Sequence, residues 1–336
     1  MGQPDWARAS DDELLSLRFH ELGLRIEGTP LEGRIERLYE ELDRRGIRHK
    51  PRVWLSSEWF SPDGVPGIAI PFYLAHPRLM RLERRMMLEV EGGTDRDCMK
   101  ILRHEAGHAI STAYRLHRRK AWREVFGRMS QPYPTSYRAE PFSKDYVLHL
   151  PWWYAQAHPA EDFAETFAVW LTPRPRWRRL YKDWPALKKL KFLDELIGSI
   201  AGEQPVNRSR RRIDPLSQQR STLRQHYARK QRRYGRDLPE LYDRDLKMLF
   251  PESGESSEAA TRFLRRNQKR VREVVARWTT AHAYTIDIVL RDMIERARDL
   301  GLRHARPDEE ALDDLQVLVS VLTMKYLQES RLYIAL

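Results

Sequence analysis

Apolar residues recur three and four apart along most of the chain, the spacing of amphipathic helices. Asp11 and Asp12 open "ELLSLRFHELGL", and Pro30 precedes "LEGRIERLYEELDRRG". Both stretches predict helices, with Gly46 placed as a C-cap after the second. The period then changes. "PRVWLSS" predicts a strand, "SPDGVPG" a turn, and "IAIPFYLA" a second strand weakened by Pro71. Helical spacing returns in "PRLMRLERRMMLEVEG" and from Asp95 to about His117, where Ile101, Ala109, Ile110 and Tyr114 supply apolar contacts. From Gln131 to Ala157 prolines and tyrosines replace any period, which predicts a loop. Pro159 stands in the first turn of a helix, "PAEDFAETFAVWL", that stops before Pro173. "ALKKLKFLDELIGSIAG" predicts another, closed by Gly202.

The pattern shifts after Pro205. Residues 208–236 are rich in arginine, with Asp214 as the one acid before Asp237. "PESGESSE" predicts a linker, followed by a long helix from Glu258 to Leu300 and another from Asp308 to the end. No internal repeat is visible. A boundary is therefore expected near residue 204. The fold class is α+β: a mostly helical core with a small sheet, then an all-helical basic C-terminal region.

The chain has 336 residues, enough for about two domains. Its formal net charge is +12, which favours acidic partners without specifying one. The single cysteine, Cys98, rules out an intrachain disulfide framework and points to a reducing compartment. The opening "MGQPDWARASDDELL" has no basic region followed by an apolar run, so no secretory signal is expected. Trp6 stands where a myristoylation signal needs Ser or Thr. No apolar run approaches about 20 residues, so no membrane span is expected. Together these predict a cytoplasmic protein; its oligomeric state is left open.

The chemistry concentrates in "ILRHEAGHAI". On a helix, His104 and His108 lie about 40° apart and can converge on one ion. Zinc suits such nitrogen ligands in tetrahedral geometry. Glu105, about 100° round, can reach a zinc-activated water as general base. Gly107 costs a helix interior about 1 kcal/mol, so its presence suggests close approach of another element. The same short pattern also arises on helices whose histidines are merely solvated.

A catalytic zinc needs three protein ligands and an open position. Ser111 and Tyr114 stand where metzincins carry glycine and histidine, and His117 falls on the opposite helix face. The third ligand must come from elsewhere, and "YAQAHPAEDFAETFAVWL" is the best source. Glu161 and Glu165 share a helix face, so one can ligate while the other anchors a ligand histidine. Asp162 is turned about 100° away. With His158 as N-cap, Glu161 could instead serve only to cap the helix.

"RHEAGHAI", followed about fifty residues later by "WYAQAHPAEDFAETFAVWL", resembles the zinc-binding metallopeptidases of the gluzincin group. The spacing and the E-x-F-A-E pattern are also similar to the catalytic domain of anthrax lethal factor. The resemblance covers roughly residues 50–200 and implies a zincin-like core over residues 51–204. The N-terminal helices of residues 1–50 would pack on it, and residues 205–336 would form an accessory domain. It also implies Zn2+, with His104, His108 and Glu161 as ligands, Glu165 behind them and Glu105 as base. Tyr154, seven residues before Glu161, would stabilise the oxyanion. Tyr146 and His149 are alternatives for that role. "GIAIPFYLA" could offer a sheet edge to an extended peptide or be an ordinary buried strand. The expected function is zinc-dependent peptide hydrolysis acting on a peptide or protein. A zinc hydrolase of another amide remains open.

A second reading uses the basic region. Residues 208–236 interleave arginines with His226, Tyr227 and Tyr234, a composition that suits nucleic-acid phosphates and base stacking. On that reading the protein is a nucleic-acid-binding or regulatory one on a metallopeptidase fold. The plain alternative is a solvated helix face. His282 and His304 show no second ligand at metal spacing and are expected in the core or on the surface.

Overall fold

The computed structural model describes the chain except residues 1–3, 88, 135, 138, 141–142, 174–175, 235–242, 251–257, 280, 330–333 and 336. The linker expected over "PESGESSE" falls almost wholly outside the described residues. The chain forms two compact units, Met1–Arg84 with Val90–Arg224 and Ala335–Leu336, and Arg85–Glu89 with Gln225–Ile334. The boundary expected near residue 204 does not coincide with this division. Residues 207–214 follow the first unit because their backbone is used there. Asn207 N–H donates to Ala113 O, and the side chains of Arg52, Trp54 and Ser56 donate to the carbonyls of Arg210, Ile213 and Asp214.

In the first unit, α1 (Asp11–Ser16) is opened by a Ser10–Glu13 capping box. The single helix expected to Leu24 stops early. Leu17 O and Phe19 N–H are taken by Leu223 and Ser221, which leaves one 3-10 turn at Phe19–Leu22. α2 (Pro30–Arg44) begins with Pro30 after the Thr29 cap and buries Leu31, Ile35, Leu38 and Leu42. β1 (Arg52–Ser56) and β2 (Gly67–Pro71) pair in parallel, Val53 opposite Ile68. A Cβ on Gly67 would lie 2.6 Å from the Trp54 ring, so close strand packing requires glycine there. The second strand ends at Pro71 and passes into a 3-10 turn at Phe72–Ala75, not into further strand. All five β2 residues are buried, and at Ala69 the edge facing away from β1 is already taken by Phe60. A docking edge for peptide is thus filled at that position.

α3 (Pro77–Met87) precedes α4 (Asp95–Ala113), which Thr94 caps. α4 ends four residues short of His117 because Arg115 turns left-handed, with φ of +51°. α5 (Lys120–Phe126) leads into the loop, which closes in a 3-10 segment at Pro151–Gln156. α6 (Pro159–Leu171) carries "PAEDFAETFAVWL", with α7 (Trp177–Leu180) and α8 (Ala186–Gly198) after it. α2, α4, α6 and α8 share the core, and Arg103 of α4 grips buried Glu41 of α2 through two 2.8 Å bonds.

α9 (Leu223–Tyr234) begins in the first unit. In the second, α10 (Asp243–Leu249), α11 (Ala260–Trp278), α12 (Ala283–Asp299) and α13 (Asp308–Glu329) enclose Phe250, Phe263, Leu264, Leu290, Met293 and Leu315. The long helix expected from Glu258 to Leu300 is broken between Trp278 and Ala283. His282 Nδ1 accepts from Tyr284 N–H and starts α12 afresh. The break lets α12 return along α11, where buried Asp287 accepts from Gln268 and Arg272. The unit is not purely helical: β3 (Glu258–Ala259) pairs antiparallel with β4 (Arg303–His304). Among the described residues no helix is long and apolar enough to cross a membrane.

Candidate metal centre

Helical spacing sets His104 and His108 on one face of α4, and α6 brings Glu161 and Glu165 against that face. The approach is unusually close because Gly107 lacks a side chain: a Cβ there would lie 2.8 Å from Ala164 Cα and 3.1 Å from Phe167 Cβ. The expectation of a close neighbour at Gly107 thus finds its partner in α6.

Three donor atoms converge. His104 Nε2 lies 3.0 Å from Glu161 Oε2 and 3.1 Å from His108 Nε2, and His108 Nε2 lies 3.3 Å from the same oxygen. Zinc bonds of about 2.0–2.1 Å in a tetrahedron place ligand atoms about 3.3 Å apart. The observed edges of 3.0, 3.1 and 3.3 Å are close to that spacing, so His104, His108 and Glu161 could hold such an ion. Two imidazole nitrogens and one carboxylate oxygen also match zinc in kind. The residues present fit that ion.

Glu105, next to His104, is buried, and its Oε2 has no hydrogen-bond partner among the described residues. A buried carboxylate oxygen left free is costly in a purely structural role and suits a proton acceptor. Glu165 is fully buried and uses both oxygens: Oε1 accepts from His104 Nδ1–H at 2.8 Å and Oε2 from Leu150 N–H at 2.8 Å. The first bond orients the ring so that Nε2 faces the cluster, where a metal would displace its proton. The second anchors the start of the 3-10 segment that carries Tyr154.

Burial alone would pull the His104 pKa down, but the Glu161 and Glu165 carboxylates outweigh it and hold the ring well above its ordinary value. Burial likewise raises Glu161, and His108 and His104 overcome it, keeping that carboxyl well below the usual range. Glu161 is thus an anion held between imidazoles.

Tyr154 stands beside the cluster, its ring 5.5 Å from the His104 ring. The preceding Trp153 holds φ of +54°, a left-handed conformation rare for a bulky residue. Burial and the Glu161 charge push the Tyr154 phenol strongly upward, so it stays protonated as a donor. Tyr146 and His149 are occupied elsewhere. The Tyr146 ring lies under Lys189 Nζ at 4.0 Å, and His149 Nε2 donates to Lys100 O. Asp162 points away from the cluster to Lys189 at 2.7 Å. His158 caps α6 by accepting from Ala160 N–H. Glu161 makes no cap, and faces the histidines instead.

One residue at the cluster was missed in the sequence. Tyr133 donates to Glu161 Oε1 at 2.7 Å, and its hydroxyl lies 3.5 Å from that of Tyr154. It comes from the aperiodic loop, where the abundance of tyrosine was the only signal.

In the basic stretch, two of the three rings expected to stack on bases are covered. His226 and Tyr227 are buried, so neither ring is open to a base; the Tyr234 side chain lies outside those described. Nor is His304 without an acid at ligand spacing. Asp308 accepts from its Nε2 at 2.9 Å, and Glu258 completes a trio. Arg266 bridges those two carboxylates at 3.0 and 2.7 Å, so both are already paired with a guanidinium.

Residues 80–174 match a family described as "Putative zinc-binding metallo-peptidase". The segment contains all of His104, Glu105, His108, Tyr133, Tyr154, Glu161 and Glu165. The match supports Zn2+ as the cofactor and, at the coarse level, a zinc-dependent peptidase with peptide substrates. No curated protein and no solved structure matches the chain.

Proposed function

We propose that the chain is a zinc-dependent peptidase of the gluzincin type, in which His104, His108 and Glu161 hold the ion. The observation that carries this is the triangle of donor atoms with edges of 3.0, 3.1 and 3.3 Å, beside the unpartnered Oε2 of Glu105. Bound zinc would polarise a scissile carbonyl and bring a water's pKa towards about 7. Glu105 Oε2 takes the proton of the attacking water and returns it to the leaving amine. Tyr154 donates a hydrogen bond from its hydroxyl to the oxyanion as it forms, keeping its own proton. Glu165 keeps His104 in register through Nδ1.

The peptidase core on this reading comprises residues 51–204, with residues 1–50 packed on it through α2 and residues 207–224 held in the same compact unit. The second unit, formed mainly by Gln225–Ile334, would be accessory, governing substrate choice or regulation. The test is metal analysis together with digestion of a proteome-derived peptide library, with and without chelator. Wild type should carry one zinc per chain and cleave peptides in a chelator-sensitive way. Glu105→Gln should keep the zinc and lose about 10²–10⁴-fold in rate. Glu161→Ala should lose the metal. A wild-type chain without stoichiometric zinc, or chelator-insensitive cleavage, would overturn the reading.

A further inference from the structure

Tyr133 is half exposed, yet its hydroxyl reaches a buried carboxylate. Its placement is built. The flanking Pro132 and Pro134 restrict the backbone on either side. Its ring packs on that of His158 at a centroid distance of 4.9 Å. His158 in turn caps α6 through Nδ1 and donates from Nε2 to Gln131 O, two residues before Tyr133. The tyrosine is therefore tied to the first turn of the helix that carries Glu161.

The two oxygens of Glu161 have separate tasks. Oε2 faces both histidine nitrogens, and Oε1 accepts from Tyr133. A carboxylate beside a metal can offer one oxygen or both. A phenol proton on Oε1 draws charge away from that oxygen and fixes the rotation of the group, which favours ligation through Oε2 alone. A phenol has one proton to give. With the Tyr133 proton on Glu161, the contact between the two tyrosines can be made only by Tyr154 donating to Tyr133. The Tyr154 proton thus points away from the metal side until a stronger acceptor arrives.

We propose that Tyr133 is a positioning residue of the zinc site: it holds Glu161 to one-oxygen ligation and parks the Tyr154 hydroxyl until an oxyanion forms. This rests on Glu161 being a ligand. It gives the exposed loop a specific task. One side chain keeps a coordination position free and aligns the residue that serves the transition state.

The test compares wild type, Tyr133→Phe and, as a control, Tyr137→Phe, whose ring also neighbours Tyr154 at 6.3 Å. Each is loaded with cobalt(II) in place of zinc, and circular dichroism verifies folding. The intensity of the visible cobalt bands reports coordination number, being stronger for four ligands than for five. Tyr133→Phe should weaken those bands and lower metal affinity by about 10-fold or more, the usual effect of losing a group that orients a ligand. For a cleaved peptide, kcat should fall with little change in KM. Tyr137→Phe should keep the wild-type spectrum and affinity. A Tyr133→Phe protein with wild-type spectrum and affinity would overturn the proposal while leaving the zinc site intact. A wild type that binds neither metal would overturn the site itself.

Discussion

Gly107→Ala sets two effects of similar size against each other. Alanine is favoured over glycine in a helix interior by about 1 kcal/mol, so local propensity says the variant gains stability. The tertiary structure opposes this. The new Cβ would lie 2.8 Å from Ala164 Cα and 3.2 Å from Ala164 O. Ordinary carbon contact begins at about 3.5 Å, so α4 and α6 must separate by about 0.7 Å. Both obstructing atoms belong to the backbone, so no rotamer change relieves them. Overpacking of this kind costs about 1–3 kcal/mol. The net expectation is a loss of about 1 kcal/mol in the metal-free protein. The effect on the site is larger. His108 follows Gly107, and Glu161 lies three residues before Ala164 on the same helix, so the same displacement opens the ligand triangle. Metal sites tolerate about 0.2 Å, and zinc affinity should drop by more than 10-fold. Denaturant unfolding in chelator and competition against a chromophoric zinc chelator measure the two quantities. A Gly107→Ala protein more stable than wild type, with unchanged zinc affinity, would refute the close α4–α6 contact.

Three further outcomes follow from the same geometry. Glu165→Gln replaces one oxygen with a donor that cannot accept from both His104 Nδ1–H and Leu150 N–H; zinc affinity should fall about 10–100-fold, and equal affinity in competition titration would count against it. Tyr154→Phe should lower kcat by about 10²–10³-fold with zinc content unchanged; a kcat near wild type would remove Tyr154 from the oxyanion role. Burial, with Lys230 and Arg229 nearby, pulls the His226 pKa down to about 3, so the folded protein keeps this ring neutral. The unfolded chain protonates it below about 6.5, so stability is full above that pH and declines as pH falls towards about 3. Between pH 7 and 4.5 the loss from this group is about 2–3 kcal/mol. Unfolding of wild type and His226→Gln at both pH values checks it, and equal losses in the two proteins would sink it.

Much of the candidate site was legible because its spacings are local. Residues four apart share a helix face wherever the helix sits, so His104 with His108, and Glu161 with Glu165, are paired before any fold exists. The cap at His158 and proline at the first turn likewise follow from backbone groups within one turn. The same periodicity misled where distant backbone intervened. It continued past Leu17, where pairing with residues 221–223 breaks the helix, and past Trp278, where burying a shared apolar face requires a turn. Composition could not decide which rings of the basic stretch are exposed, since arginines next to Tyr227 say nothing of whether that ring is buried. Tyr133 has no period at all, and its hydroxyl meets Glu161 only because a loop returns to α6 across 28 residues of sequence.

The sequence by itself determined which side chains each helix presents and that two helices carry zinc-compatible donors. Only the tertiary structure decided that those faces meet, how closely Gly107 lets them meet, and which carboxylate oxygen each neighbour receives. The physical reason is range. Helix geometry acts over about four residues, whereas donor atoms 3 Å apart on different helices depend on the packing of everything between them.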